Sequence, residues 1–213
     1  KIPKFKDCII VGIFAAGGFL SKYLFIYLLI SIDLFFIYLI FFKKDRKFHF
    51  NYVFTLEVFL VLLIPHIIWL FNNDFITVTY GLSRSSADVS TILDHLFYPL
   101  VFVFKQVGIL TPLFVMFYFL IKKFKLNYSL KDKNLLFLIS INILPIVLIL
   151  LTSMLMGSKI RTMWMTPFYL FFGTLFIYSL KSQINIKKID SFMYGFFILF
   201  LISPILYSYI SIT

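Results

Sequence analysis

The chain has 213 residues, of which 62% are hydrophobic, 21% aromatic and 14% charged, with a formal net charge of +11. Soluble domains carry about 45–50% apolar and about 25% charged residues, so the composition excludes a water-soluble globule as well as a disordered or collagenous chain. The single Cys8 excludes an intrachain disulfide framework and a cysteine-built zinc site.

A bilayer helix needs about 20 mainly apolar residues. In chain order, the first apolar run is short, Cys8 to Leu20, and ends at Gly17-Gly18 and the polar pair Ser21-Lys22. It reads as a short or tilted helix forming a hairpin with the next span. Full-length spans follow over Leu24 to Phe42, Tyr52 to Phe71, Pro99 to Ile121 and Asn134 to Met156. Met165 to Leu180 is a slightly short one, and Ser191 to Ile210 closes the chain. The expected fold is therefore all-α, a polytopic transmembrane bundle of about seven crossings. Residues 1–213 form one membrane domain, expected to be a piece of a longer one because the chain opens on Lys1.

The loops alternate in charge. Lys1, Lys4 and Lys6, then Lys43, Lys44, Arg46 and Lys47, then Lys122, Lys123, Lys125, Lys131 and Lys133, then Lys181, Lys187 and Lys188 fall on one side. Those are 15 of the 20 basic residues. Lys22, Arg84, Lys159 and Arg161 fall on the other, and Lys105 lies within a span. The excess of Lys and Arg on cytoplasmic loops makes the first side the inner one. The same asymmetry accounts for the high net charge, so no nucleic-acid partner is expected. The sequon Asn127-Tyr128-Ser129 falls on the inner side, where glycosylation is not expected.

The long outer loop, residues 72–98, holds Asn72, Asn73, Asp74, Tyr80, Arg84, Asp88, Asp94 and His95. Ile76, Val78, Tyr80, Ile92, Leu93, Leu96 and Phe97 would rest at the membrane interface, and Ser86 or Asp88 could cap a short helix ending near Phe97. Such a loop can cover a site as a lid; alternatively its aromatics simply rest in the headgroup layer. Positive charge is disfavoured on this face, so each outer cation needs a reason. Arg binds phosphate through its planar fork and Lys as a point charge. Lys159 and Arg161 stand two apart in a tight loop and can point at one anion if the loop is extended. The competing reading is headgroup binding or snorkelling.

Asp33 and Lys105 lie roughly 14 Å and 9 Å below the outer ends of their spans at 1.5 Å per residue. A bare charge near the bilayer centre costs about 2.5–3.5 kcal/mol on insertion scales, so the two are expected to face the bundle interior and pair with each other or a polar cavity. Glu57 lies near the inner end of its span and reaches the headgroups. His66 follows Pro65, with Trp69 close behind; together with His49 and His95 it forms no HxxH or HExxH spacing. This segment alone is not expected to build a metal site, and the pattern assigns no cofactor. Scattered Ser, His and Asp residues give no support to a catalytic triad.

Four stretches together resemble a known family. Pro65-His66-Ile67-Ile68-Trp69-Leu70-Phe71-Asn72-Asn73-Asp74-Phe75, continuing Thr77-Val78-Thr79-Tyr80-Gly81-Leu82-Ser83-Arg84, is similar to a signature of bacterial family 39-type glycosyltransferases of the GT-C superfamily. That group includes the protein O-mannosyltransferases and the aminoarabinose transferase of lipid A. Gly17-Gly18-Phe19-Leu20-Ser21-Lys22-Tyr23 resembles the family's Gly-rich run ending in Ser/Thr-Lys-Tyr. Gln106-Val107-Gly108 with Pro112, and Lys159-Ile160-Arg161 followed by Met163-Trp164-Met165-Thr166-Pro167-Phe168-Tyr169, are looser matches. Asn73 stands where many relatives have His, and Phe75 where many have Trp.

The resemblance implies an integral protein of the bacterial inner membrane whose active side faces outward. It implies a sugar donor linked to a polyprenyl phosphate, a lipid, glycan or protein acceptor, and membrane lipids as neighbours. It assigns Lys22, Arg84, Lys159 and Arg161 to the carrier phosphate, and Asn73, Asp74, Tyr80, Lys105, Gln106 and Trp164 to the substrate cavity. The family's catalytic acid is expected in a first outer loop preceding Lys1, leaving Asp74 as a weak candidate here. A transporter or flippase for a lipid-linked or anionic substrate stands as the alternative, and a membrane scaffold subunit as a third.

Overall fold

The computed structural model describes residues 4–43, 51–85, 91–121 and 131–212. Within them the chain is helical, and its one β feature is an isolated bridge between Ile121 and Ile184. The helices are α1 (Phe5–Ser21), α2 (Ile26–Phe41), α3 (Asn51–Asn72), α4 (Ile76–Ser83), α5 (Asp94–Leu120), α6 (Lys133–Asn142), α7 (Leu144–Met156), α8 (Phe172–Leu180) and α9 (Ile189–Ile212). Short 3₁₀ turns cover Tyr23–Phe25, Thr162–Tyr169 and Ile186–Lys188.

Five helical stretches are long and apolar enough to cross a membrane: Tyr23–Phe41, Val53–Asn72, Asp94–Leu120, Lys133–Met156 and Ile186–Tyr209. A sixth arises if Thr162–Tyr169 and Phe172–Leu180, bent by 50° to each other, make one broken span. The seventh crossing expected from the sequence is α1, whose 17 residues fall just below full length. Large apolar side chains stay exposed along these helices, such as Phe104, Phe200 and Leu201. That inverts the soluble pattern and suits a hydrocarbon solvent.

Proline and small residues set the local geometry. Pro65 lies within α3, and Pro99 and Pro112 lie within α5, positions that membrane helices tolerate. The span Lys133–Met156 is interrupted at Ile143, where Pro145 opens α7 without an N–H to continue the ladder of α6. Gly12 brings α1 against α3: a Cβ there would stand 2.8 Å from the Thr55 carbonyl oxygen. Small residues permit this backbone approach when no hydrophobic effect drives helix association. α7 lies between α2 and α5, and α9 packs on α5. The buried centre is Phe102 of α5, Ile149 of α7, and Met165 and Phe168 of the second 3₁₀ turn.

Two ends emerge from the connections. At one, residues 22–25, 66–85, 91–95 and 154–164 are joined by hydrogen bonds described below. At the other, the Asn185 N–H donates to the Leu120 carbonyl at 3.0 Å, and the Tyr178 hydroxyl donates to Asp132 at 2.8 Å. The described basic residues Lys43, Lys131, Lys133, Lys181, Lys187 and Lys188 belong to this second end, and Lys22, Arg84, Lys159 and Arg161 to the first.

Two expectations change. The short helix in the outer loop is α4, and Phe97 instead belongs to the first turns of the continuous α5. Its apolar residues do not need a separate element, because a span can simply begin earlier. Residues 44–50, 86–90 and 122–130 lie outside the described set, and with them the expected caps Ser86 and Asp88, His49, the sequon at Asn127 and several inner cations.

Candidate functional site

The end with sparse positive charge gathers most of the residues singled out in the sequence. α1 stops at Ser21 because Lys22 turns extended (φ −160°, ψ 115°), and its N–H caps the Gly18 carbonyl. This aims the Lys22 side chain across the bundle, where its Nζ donates to the Trp164 carbonyl at 3.0 Å. Burial pushes the Lys22 ammonium below the usual lysine range, because a charged amine loses hydration there.

Tyr23, the next residue, ties three elements together. Its hydroxyl shares a hydrogen bond with His66 Nε2 of α3 at 2.8 Å and another with Thr77 Oγ1 of α4 at 2.7 Å. The His66 ring stacks on Trp69 at 5.8 Å, with 14° between the planes. Sequence reasoning dismissed His66 as a metal ligand and gave Tyr23 and Thr77 no role. The available signal was that all three lie in the quoted family stretches, but their chain separations obey no motif spacing.

Between α3 and α4 the backbone makes a strained reversal. Asp74 and Phe75 adopt φ of 49° and 53°, the left-handed region that non-glycine residues rarely occupy. The Phe75 N–H returns to the Leu70 carbonyl at 3.0 Å, and the Asn73 side chain donates to the Trp69 carbonyl at 2.8 Å. Asn73 is thereby committed to closing α3. The exposed Asp74 carboxylate has no hydrogen-bond partner among the described residues.

Arg84 closes α4. Its Nη1 donates to the Tyr80 hydroxyl at 2.5 Å, and its guanidinium lies 5.3 Å from the centre of the Tyr80 ring. The next residue meets the second cationic segment: the Lys159 N–H donates to the Ser85 carbonyl at 2.9 Å. That segment is held from below. Gly157 has φ +59°, and a Cβ there would stand 2.8 Å from His95 Nε2. His95 Nδ1 in turn shares a hydrogen bond with the Met154 carbonyl at 2.6 Å, and Ser153 Oγ donates to the Ser158 carbonyl at 2.7 Å. Ser158 is buried, whereas Lys159 and Arg161 are exposed with their side chains unengaged among the described residues.

The four cations therefore occupy adjoining segments, Arg84 beside Lys159 through Ser85, and Lys22 beside Trp164, three residues past Arg161. This is a basic rim with free donors, suited to an oxyanion. No group of His, Cys, Asp or Glu among the described residues could hold a metal ion.

Lys105 and Gln106 separate. Gln106 is buried, accepts a hydrogen bond from the Tyr169 hydroxyl, and leaves its Nε2 without a partner among the described residues. Lys105, about 100° round the helix, is exposed. It makes no ion pair with Asp33 among the described residues, so the direct pair, one of the two arrangements expected from the sequence, does not form within the chain.

No curated protein and no solved structure matches the chain. Residues 2–69, which carry α1, α2 and most of α3 and with them Lys22, Tyr23 and His66, match the family model of dolichyl-phosphate-mannose-protein mannosyltransferases, a glycosyltransferase family.

Proposed function

We propose that the chain takes part in glycosyl transfer from a sugar linked to a polyprenyl phosphate, with the basic rim holding the carrier phosphate. The observation that carries this reading is the Lys22–Trp164 hydrogen bond, which joins the family-matched segment to the Lys159–Arg161 loop. Transfer of the sugar leaves negative charge on the carrier phosphate. Exposed guanidinium and ammonium groups beside a water-poor interior stabilise that charge as it develops. The acceptor hydroxyl must lose a proton, which calls for a positioned carboxylate. Asp74 is a free carboxylate on this end, while the resemblance expects the principal acid from the first outer loop. On this reading the outer loop, residues 72–98, serves as a lid, and α4, with Ile76, Tyr80 and Leu82 exposed, supplies its interfacial part. The acceptor is a lipid, glycan or protein, and the working face is the outer one of a bacterial inner membrane.

The experiment is sugar transfer from radiolabelled polyprenyl-phosphate donors by membranes containing the protein, with Lys159 and Arg161 changed together to Ala. A fall of roughly 100-fold is expected, as for loss of donors to a developing oxyanion. Wild-type transfer by the double variant would remove the rim from the mechanism. A transporter reading draws on the 50° break between Thr162–Tyr169 and Phe172–Leu180, since broken helices mark many carriers. Movement of a lipid-linked sugar analogue across vesicles without transfer would favour it.

A further inference from the structure

Two charges lie mid-span with no hydrogen bond or ion pair among the described residues. Asp33, midway along α2, lines a cleft of about 400 Å³ between α1, α2 and α3. The wall is mostly apolar, with Val11, Ile30 and Phe36, and its polar members are already engaged. Asp7 accepts from the Lys4 N–H and Thr55 donates to the Cys8 carbonyl. No described basic residue lines the cleft. Lys105 sits on α5 in an exposed apolar band with Phe104 75% and Val107 52% exposed.

The two lie at matching depth. Counting 1.5 Å per residue, Asp33 is about 15 Å from Tyr23 and Lys105 about 16 Å from Asp94, the ends of their spans nearest the basic rim. Bare charges at this depth are costly and ordinarily find a partner. Within one chain the two do not pair among the described residues.

We propose that the chain self-associates in the membrane through these residues, Lys105 of one copy entering the cleft of another and pairing with its Asp33. The chain itself supplies the complementary charge at the required depth, and no other described basic residue lies mid-span. A helix 10 Å across and two turns long occupies roughly 850 Å³. The cleft therefore admits side chains projecting from a neighbouring α5, not the helix itself. A lipid tail could fill the space but would leave the carboxylate unpaired. The two patches differ, so the contact is either reciprocal in a two-fold pair or repeats head to tail around a ring. This inference does not depend on the glycosyl-transfer reading.

The test uses the purified chain in phosphatidylcholine vesicles, in a Cys8→Ser background, with association followed by fluorescence photobleaching. Asp33→Lys and Lys105→Asp each juxtapose like charges and should weaken self-association roughly tenfold, while mixing the two variants restores it. Copies bearing Asp33→Cys and differently tagged copies bearing Lys105→Cys should cross-link to each other through a short bifunctional thiol reagent. Like-with-like mixtures should not. The cross-link reads the contact even if a charge-swapped variant folds poorly. A wild-type chain that stays monomeric at every protein-to-lipid ratio overturns the proposal. So does association unchanged by Asp33→Asn, or the absence of the mixed cross-link; in those cases a lipid, a different protein or a further segment of a longer chain occupies the cleft.

Discussion

Gly157 is the residue on which the geometry of the Lys159–Arg161 loop turns. Its φ of +59° and the 2.8 Å that a Cβ would leave to His95 Nε2 combine a backbone constraint with a steric one. Gly157→Ala should lower stability by about 1–3 kcal/mol and displace the loop. Gly17→Ala offers the contrast. Nothing lies within 4 Å of a Cβ at that helical position, and the substitution should be neutral or stabilising by up to about 1 kcal/mol. Thermal melting of the detergent-solubilised variants checks both. Equal effects at the two sites would contradict the packing of Gly157 on His95. Lys159 and Arg161 were legible as a pair on the sparsely charged end from charge alone. The support beneath them was not, because His95 and Met154 meet across 59 residues and no local pattern encodes that contact.

Among the elements, α6 shows how a carboxylate outside the bilayer couples two helices. Asp132 caps α6 by accepting from the Asn134 and Leu135 N–H groups at 3.0 and 3.3 Å, and it also accepts from the Tyr178 hydroxyl of α8. The Tyr178 hydrogen bond chiefly holds its carboxyl below the usual carboxylate range, helped by the capping N–H groups. A depressed folded pKa means the stabilisation is present above the unfolded value, near about 4. It is lost as pH falls through the folded value. The stability difference between wild type and Asp132→Asn should therefore be constant from neutral pH down to about 5 and shrink at lower pH. A difference that grew on acidification, in melts across that range, would contradict the assignment. The span ends were legible to within a few residues because hydropathy fixes them. The break at Ile143 and the bend after Tyr169 were not, since apolar runs look alike whether straight or kinked. α4 was read as loop because its eight residues are too few for a period to declare itself.

For the whole molecule, charge asymmetry and the network of hydrogen bonds independently divide the connections into the same two ends. The sequence could assign sides, but it could not show that residues 22, 77, 85, 95, 154, 159 and 164 converge, because convergence is a property of the packed bundle. It also offered Asp33 and Lys105 as partners, with a polar cavity as the alternative, since depth is readable from position in a span whereas the direction each helix face points is not. Single cysteines replacing Arg84, Lys159 or Arg161 should react with a membrane-impermeant thiol reagent in intact cells. Cysteines replacing Lys43 or Lys181 should react only after permeabilisation. Labelling of all five from one side would dissolve the two-ended arrangement.

The central claim is that the basic rim grips the phosphate of a lipid carrier, and equilibrium binding of a long-chain polyprenyl monophosphate to the chain in nanodiscs tests it most directly. The account predicts that changing Lys159 and Arg161 together to Ala weakens binding by roughly 10- to 100-fold, with the wild-type affinity falling as salt is raised. Undiminished affinity in that double variant, in the same lipid and salt, would contradict it.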